Sequence, residues 1–291
     1  MNILIFGASG MAGSILFKLF SQDKKNIVYG TMRDKKSMFF FDNNMHDNLI
    51  NFSVTDKEPQ LRKCFDKSTP DLVINCIGMI NKRSTKSNTS LMYEINSVFP
   101  KKLNLFCDEF NSRMIHFSTD CVFLGDRGNY SENSPTDCLD DYGQSKLKGE
   151  IINSKNVITI RLSLVGHEIY TKIQLINWFL SQENEVSGFK KVFFSGLTNI
   201  ELYNVLNKHI IYNNELHGLY HVSSDPIDKF SLLKLVSNIY NKKINIIPNE
   251  DFIINRSLDS SQFKKITGYV SPSWSEMVKK MYENSPYYNN K

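Results

Sequence analysis

The chain has 291 residues, 41% of them hydrophobic, with 35 Lys and Arg against 30 Asp and Glu for a formal net charge of +5. That is enough to bury a full core, as one large unit or two unequal lobes, while the scattered positive excess forms no stripe for nucleic acid and suits at most an anionic substrate. No apolar run reaches the roughly 18 residues of a membrane span, and five cysteines without CxxC spacing predict reduced thiols, a cytoplasmic setting and no structural metal.

The chain opens on a continuous apolar run, Ile3 to Phe6, expected of a strand covered on both faces and leaving no room for a signal peptide. It enters Gly7-Ala8-Ser9-Gly10-Met11-Ala12-Gly13 directly. A glycine turn between a strand and a helix lets backbone amides approach a pyrophosphate, and the helix dipole favours the negative charge. Glycines also serve ordinary turns, but the first strand-to-helix junction is where a dinucleotide site belongs. Gly7, Ser9, Gly10, Met11 and Gly13 are therefore candidate cofactor contacts. A helix follows through Ile15, Leu16, Leu19 and Phe20, and Ile27 to Tyr29 is a second strand.

The second strand ends in Gly30-Thr31-Met32-Arg33. An acidic residue here would bond the adenosine ribose of NAD, whereas Arg33 can pair the extra phosphate of NADP. NADPH is expected in preference to NADH, the plainer reading of Arg33 being a solvated loop cation. Met38 to Phe41 reads as core or lobe contact rather than a base-stacking platform. Further strands are expected at Leu72 to Ile74, Met114 to Phe117 and Val157 to Ile160, with a helix from Leu91 to Phe110 in which Pro100 marks an N-terminal turn or a kink. This alternation predicts an α/β fold with a doubly wound parallel sheet of Rossmann type.

Beyond Gly166 the pattern is less regular. Leu175 to Leu180, Ile200 to Ile211, Leu232 to Tyr240 and Met277 to Tyr282 read as helices and Gly218 to Val222 as a strand. The expected division is a dinucleotide-binding domain over 1–163 and a mainly substrate-binding lobe over 164–291, with some elements returning to the sheet. His116, His217 and His221 fall on strands or their edges and read as structural; Trp178 and Trp274 read as packing residues.

The chemistry concentrates in Tyr142-Gly143-Gln144-Ser145-Lys146, with Tyr142 lying 23 residues after Thr119 of Ser118-Thr119-Asp120-Cys121-Val122-Phe123. Positions four apart share a helix face, so the Tyr142 hydroxyl and Lys146 ammonium can reach a common point. A nearby cation favours the phenolate and brings tyrosine toward useful acid/base chemistry. Thr119, just past an apolar strand, could hold a carbonyl oxygen beside that phenol.

These motifs resemble the extended short-chain dehydrogenase/reductases, and more closely the dTDP-4-dehydrorhamnose reductase family. The resemblance covers most of the chain: the glycine turn, Asn75-Cys76-Ile77-Gly78, Asn96, the STDxVF run from Ser118, YGxSKxxGE from Tyr142, Arg161 to Gly166, and worn versions of GxPT at Gly196-Leu197-Thr198 and of RPxxSxLD at Arg256-Ser257-Leu258-Asp259. It implies NAD(P)H-dependent reduction at C4 of a nucleotide-linked 4-keto-6-deoxy sugar, supplying a deoxysugar for a glycan or polysaccharide. Tyr142 would give a proton to the C4 oxygen, Lys146 would lower the tyrosine pKa and hold the nicotinamide ribose, and Thr119 would bond the ketone. Cys76, Gly78 and Asn96 would belong to the cofactor side, and Asp120, Cys121 and Arg256 to the substrate side. The sequence departs from the family at Ser53, where an aspartate often faces adenine, at Leu197, and at Ser257, where the family has prolines.

Cys121 stands where related epimerase-reductases carry an acid/base cysteine, with Lys172 or His167 as its partner in such a reaction. The alternative is a small buried cysteine packed behind the site. Some relatives of this fold are instead non-catalytic, NADP-binding regulatory subunits, but an intact Thr119, Tyr142 and Lys146 favours an enzyme. Monomer and homodimer are both compatible with the sequence.

Overall fold

The structure, a computed structural model, describes residues 1–80 and 88–285. In chain order its first half comprises β1 (Asn2–Phe6), α1 (Met11–Gln22), β2 (Ile27–Met32), β3 (Leu49–Asn51), α2 (Glu58–Ser68), β4 (Leu72–Asn75), α3 (Thr89–Tyr93), α4 (Phe99–Glu109), β5 (Arg113–Phe117), α5 (Asp141–Lys148) and β6 (Val157–Arg161). The remainder comprises β7 (Leu164–Val165), α6 (Leu175–Ser181), β8 (Glu185–Phe189), β9 (Val192–Phe194), β10 (Leu197–Thr198), α7 (Asn199–Val205), β11 (Gly218–His221), β12 (Ile227–Asp228), α8 (Lys229–Ile239), β13 (Asn245–Asn249), β14 (Ile254–Asn255), α9 (Ser261–Thr267) and α10 (Trp274–Glu283).

The chain forms two compact units, one of residues 1–118, 140–160 and 210–219, the other of residues 119–139, 161–209 and 220–291. The first is built on the seven-stranded sheet, in the order β3-β2-β1-β4-β5-β6-β11. The pairings of β3, β2, β1, β4, β5 and β6 are all parallel. The strand order reverses between β1 and β4, and open parallel sheets bind ligands at the carboxyl ends of the strands at such a switch point. The glycine turn leaves β1 there.

Strands β1, β4 and β6 are buried along almost their whole length and mostly apolar because helices cover both faces of the sheet. One face packs as an aromatic cluster: Phe6 lies 5.4 Å from Phe52 and 5.6 Å from Phe99, both edge-on, and 6.1 Å from Phe65. The predicted helix from Leu91 to Phe110 is interrupted: a π-helical turn, Glu94–Val98, separates α3 from α4. Pro100 sits in the first turn of α4, where its missing N–H costs no hydrogen bond. A similar π-turn, Leu206–Ile210, follows α7 in place of the continuous helix expected to Ile211. The run from Met38 to Phe41 divides. Phe41 is buried edge-on against Phe17 at 5.1 Å, while Phe39 is 84% and Phe40 52% exposed, so the expectation of core packing holds for Phe41 and fails for its two neighbours.

The second unit contains three small sheets: β10 with β7, β12-β9-β14, and β13 with β8. Ser273 and Glu276 form a reciprocal capping box at the start of α10. Trp274 packs on Phe194 at 5.4 Å and donates its indole N–H to the Asp225 carbonyl at 2.8 Å.

Truncating Phe6 opens the aromatic cluster directly beneath the glycine turn. Phe6→Ala should cost about 3–5 kcal/mol, read as a lower urea midpoint with an unchanged slope; a loss under about 1 kcal/mol would show that the cluster does not anchor β1.

Candidate active site

The glycine turn is a backbone device. Gly7 has φ +84°, a conformation L side chains rarely adopt, and a Cβ at Gly13 would lie 2.2 Å from the Gly7 carbonyl oxygen. The first turn of α1 therefore folds tightly over the end of β1, with Gly10 as N-cap and no acidic residue in the helix's first turn. The turn is tied to β2 by Gly7 N–H to the Thr31 hydroxyl at 3.0 Å and Ala8 N–H to the Thr31 carbonyl at 2.8 Å. Ser9 and Met11 are half-buried on it, and Arg33 is exposed immediately past β2. These groups fit a dinucleotide phosphate: a Cβ-free approach, a helix N-terminus and a cation at the second strand end.

Gly7 rests on the next loop. A Cβ there would lie 3.0 Å from Ile77 Cγ1 and 3.3 Å from the Cys76 carbonyl carbon. That loop is held from both ends. Asn75 accepts the Ile77 N–H at 3.1 Å and pairs with His116 Nδ1 at 3.2 Å; farther on, Asn96 accepts the Met79 N–H and donates to the Met79 carbonyl, both at 2.9 Å. Asn96 also donates to the Ser145 hydroxyl at 3.0 Å, and Ser97 donates to the Ser145 carbonyl at 2.7 Å, so the same turn grips α5. Gly78 is exposed between these anchors. Burial pushes the Cys76 thiol up, against the opposing influence of Lys146.

Helix α5 begins at Asp140, whose side chain accepts the Gly143 N–H at 2.9 Å. It carries Tyr142, half-buried, and Lys146, buried, one turn apart. The Lys146 ammonium donates to the Phe117 carbonyl at 2.6 Å, at the end of β5 and two residues before Thr119 in the chain. Burial lowers the Lys146 pKa from 10.5 to about 8, with Glu150 and Cys76 acting in the other direction. His116, wholly buried beside it, is driven well below the usual histidine range by burial and by Lys146, so it stays neutral.

In the second unit Thr119, Asp120 and Cys121 fold into a short 3₁₀ turn over Asp120–Val122. Thr119 caps it, accepting the Cys121 N–H at 3.1 Å and donating to Asp120 Oδ1 at 3.2 Å. Asp120 is buried, and burial raises its pKa, opposed by Arg256 and then Lys229. The Arg256 guanidinium donates to the Phe123 carbonyl at 2.9 Å and to Cys121 Sγ at 3.4 Å. Cys121 is half-buried and accepts from the Arg256 guanidinium. Lys172 is exposed, and His167 bonds Asn177 at 3.1 Å and Tyr240 at 2.8 Å.

His221 has carboxylate company that its spacing did not reveal: its backbone N–H donates to Glu132 at 2.7 Å. Sequence reading also missed Ser97, Ser145, His116 with Asn75, and Lys229. The serine of YGxSK was visible but carried no partner, because Asn96 is 49 residues away. Among the described residues no group of His, Cys, Asp and Glu could hold a metal ion. Two concavities of about 400 and 480 Å3 in the first unit, sharing Asn111, Arg113 and Asn214, lie at the amino ends of the strands, away from the glycine turn.

The parallel sheet, the glycine turn at its switch point and a Tyr/Lys pair on one helix face define a Rossmann-fold protein of the short-chain dehydrogenase/reductase class. Within that class the chain belongs to the RmlD substrate binding domain family, whose model matches residues 1–185. It is 30% identical to the probable low-salt glycan biosynthesis reductase Agl14 of Haloferax volcanii over 57% of this chain and 54% of that protein, so it spans about half of that relative. The dTDP-4-dehydrorhamnose reductase of Aggregatibacter actinomycetemcomitans is 23% identical over 96% of this chain and 97% of its own. The fold matches the crystal structure of dTDP-4-dehydrorhamnose reductase from Bacillus anthracis in complex with NADP, with a TM-score of 0.78, 22% identity, and coverage of 97% and 99% of the two chains.

Because Lys146 loses proton affinity on folding, the unfolded chain binds more protons between about pH 8 and 10.5. Its burial therefore opposes stability fully below pH 8, and the penalty fades as pH rises through that interval. Lysine ε-carbon NMR should show one resonance titrating near pH 8 that Lys146→Met removes; every lysine titrating above pH 10 would contradict the burial argument.

Proposed function

We propose that this protein reduces the C4 ketone of a nucleotide-linked 4-keto-6-deoxy-hexose with NADPH, supplying a deoxysugar for glycan or polysaccharide synthesis. The observation that carries this reading is the buried Lys146 on α5, one turn from Tyr142 and bonded to the Phe117 carbonyl. The full-length similarity to proteins named dTDP-4-dehydrorhamnose reductase supports the substrate class and makes dTDP the first nucleotide to test.

NADPH, when bound, supplies the hydride that reaches C4. The glycine turn and the N-terminus of α1 hold its pyrophosphate, Arg33 pairs its 2′-phosphate, and the Cys76–Gly78 loop, fixed by Asn75 and Asn96, forms the floor beneath the turn. Tyr142 gives its proton to the C4 oxygen as that oxygen gains charge, so the ketone becomes a hydroxyl and the phenol a phenolate. A positive Lys146 one turn away stabilises the phenolate. The buried ammonium, bonded to the Phe117 carbonyl, stays charged at neutral pH, below its pKa of about 8.

Thr119 bonds the ketone in this scheme, but its hydroxyl proton is directed at Asp120 here. Donation to a substrate oxygen therefore requires the hydroxyl to rotate away from Asp120. A protonated Asp120, which its burial favours, accepts less strongly and makes that rotation easier.

NADPH oxidation should require both a nucleotide-4-keto-6-deoxy sugar, generated in place by a dehydratase, and Tyr142. Tyr142→Phe should reduce kcat by at least about 10²-fold, the scale of a lost general acid, with NADPH still bound. Oxidation that survives in Tyr142→Phe would assign the proton to another group. In the same assay Arg33→Ala should raise KM for NADPH at least about tenfold and leave NADH nearly unchanged; equal losses for both would remove the phosphate role from Arg33.

A further inference from the structure

The three-stranded sheet β12-β9-β14 places two cations on one face. Ile227 pairs with Phe194 and Asp228 with Phe193, while Ile254 pairs with Val192 and Asn255 with Phe193. Side chains directly across a ladder share a face, and the face alternates at each residue. Phe194, Ile227 and Ile254 therefore project together; Arg256, whose N–H donates to the Phe193 carbonyl at 3.0 Å, carries the alternation on from Ile254, while Lys229, the first residue of α8, reaches the same side through its contact with Phe194. Contacts agree with the register: the Lys229 ammonium lies 3.9 Å from the Phe194 ring centroid. A Cβ at Gly125 would touch both Ile254 Cγ2 at 2.7 Å and Arg256 Cγ at 2.9 Å.

Lys229 occupies an unfavourable place for a cation. It is the first residue of α8, where the helix dipole disfavours positive charge, and Asp228 before it uses its carboxylate to cap Ser231 N–H at 2.8 Å. The residue is half-buried, so its ammonium is held over an aromatic ring rather than released to solvent. The face it shares is the one from which Arg256 reaches Cys121 and Phe123, beside the buried Asp120.

We propose that Lys229 is a substrate-binding residue that, with Arg256, grips the diphosphate of the nucleotide-sugar substrate. This rests on the reading of the protein as a nucleotide-sugar reductase and adds a residue outside every recognisable motif. Two cations on one sheet face match the two phosphates of a nucleoside diphosphate, and the stacking on Phe194 fixes Lys229 in place before the ligand arrives. Recognition through phosphate charge is blind to the base, so Lys229 should weigh equally in the binding of dTDP and UDP.

The test is calorimetric titration of the NADP⁺-saturated protein with dTDP and with UDP, for wild type, Lys229→Met and Lys229→Arg. The expected result is a roughly tenfold rise in Kd for each diphosphate that binds, by the same factor, in Lys229→Met, with most of the loss restored in Lys229→Arg and NADPH affinity unchanged. A Lys229→Met protein that binds like wild type, weakens only one base, or loses NADPH in parallel would overturn the assignment while leaving the reductase reading standing. A wild type that binds neither diphosphate and reduces no keto-sugar would remove both.

Discussion

The close approach of α5 to the π-helical turn is the contact on which the first unit's chemistry depends. A Cβ at Gly149 would lie 1.9 Å from the Asn96 carbonyl oxygen, so only glycine lets the end of that helix come so near. The π-turn carries one extra residue per turn, which aligns Asn96 and Ser97 toward Ser145 while α4 continues in a new register. Asn96 then commits both its amide hydrogens and an acceptor lone pair to two elements, the Met79 backbone and the Ser145 hydroxyl. The loop under the glycine turn and the helix bearing Tyr142 and Lys146 are thus joined through one side chain.

Each unit holds one buried ionisable group of the sequence motifs, Lys146 in the first and Asp120 in the second, and the two are handled in opposite ways. Lys146 donates a hydrogen bond to the Phe117 carbonyl, an acceptor fixed by the sheet, and Glu150 lies within electrostatic range. Its charge is destabilised by burial yet retained at neutral pH. Asp120 receives the Thr119 hydroxyl at 3.2 Å and the Cys121 thiol at 3.6 Å, among the described residues no backbone N–H is directed at its carboxylate, and burial dominates.

The sheet and the Tyr/Lys pair were legible in the sequence because both rest on local periodicity: apolar runs for β1, β4, β5 and β6, and a four-residue spacing on α5. Elements that depend on distant partners were not. Strands β8 and β13 pair across sixty residues, and Asn245–Asn249 contains Pro248 and ends in asparagine on both sides, a pattern that reads as a loop. The π-turns were hidden because a one-residue register change leaves the apolar pattern of Leu91 to Phe110 nearly intact. His116 read correctly as a buried strand residue, but its bond to Asn75, 41 residues earlier, fixes a loop that no spacing rule connects to it.

The departures from the family's pattern in the second unit exchange conformational restriction for hydrogen bonds. A proline at the position of Leu197 would remove the N–H that Leu197 donates to the Ser163 carbonyl at 2.9 Å, the bond that extends β10 alongside β7. At Ser257 the added N–H is taken by Asn255 Oδ1 at 3.1 Å, and the hydroxyl accepts the N–H of Asn129, itself at φ +49°. Proline would have limited this segment by its fixed φ; serine limits it by fastening it to residues 129 and 130, where Tyr130 N–H meets the Ser257 carbonyl at 3.0 Å. Arg256 is thereby held between two anchored neighbours, Asn255 and Ser257, and its guanidinium stays on the Phe123 carbonyl and the Cys121 sulfur without the ring the motif ordinarily supplies.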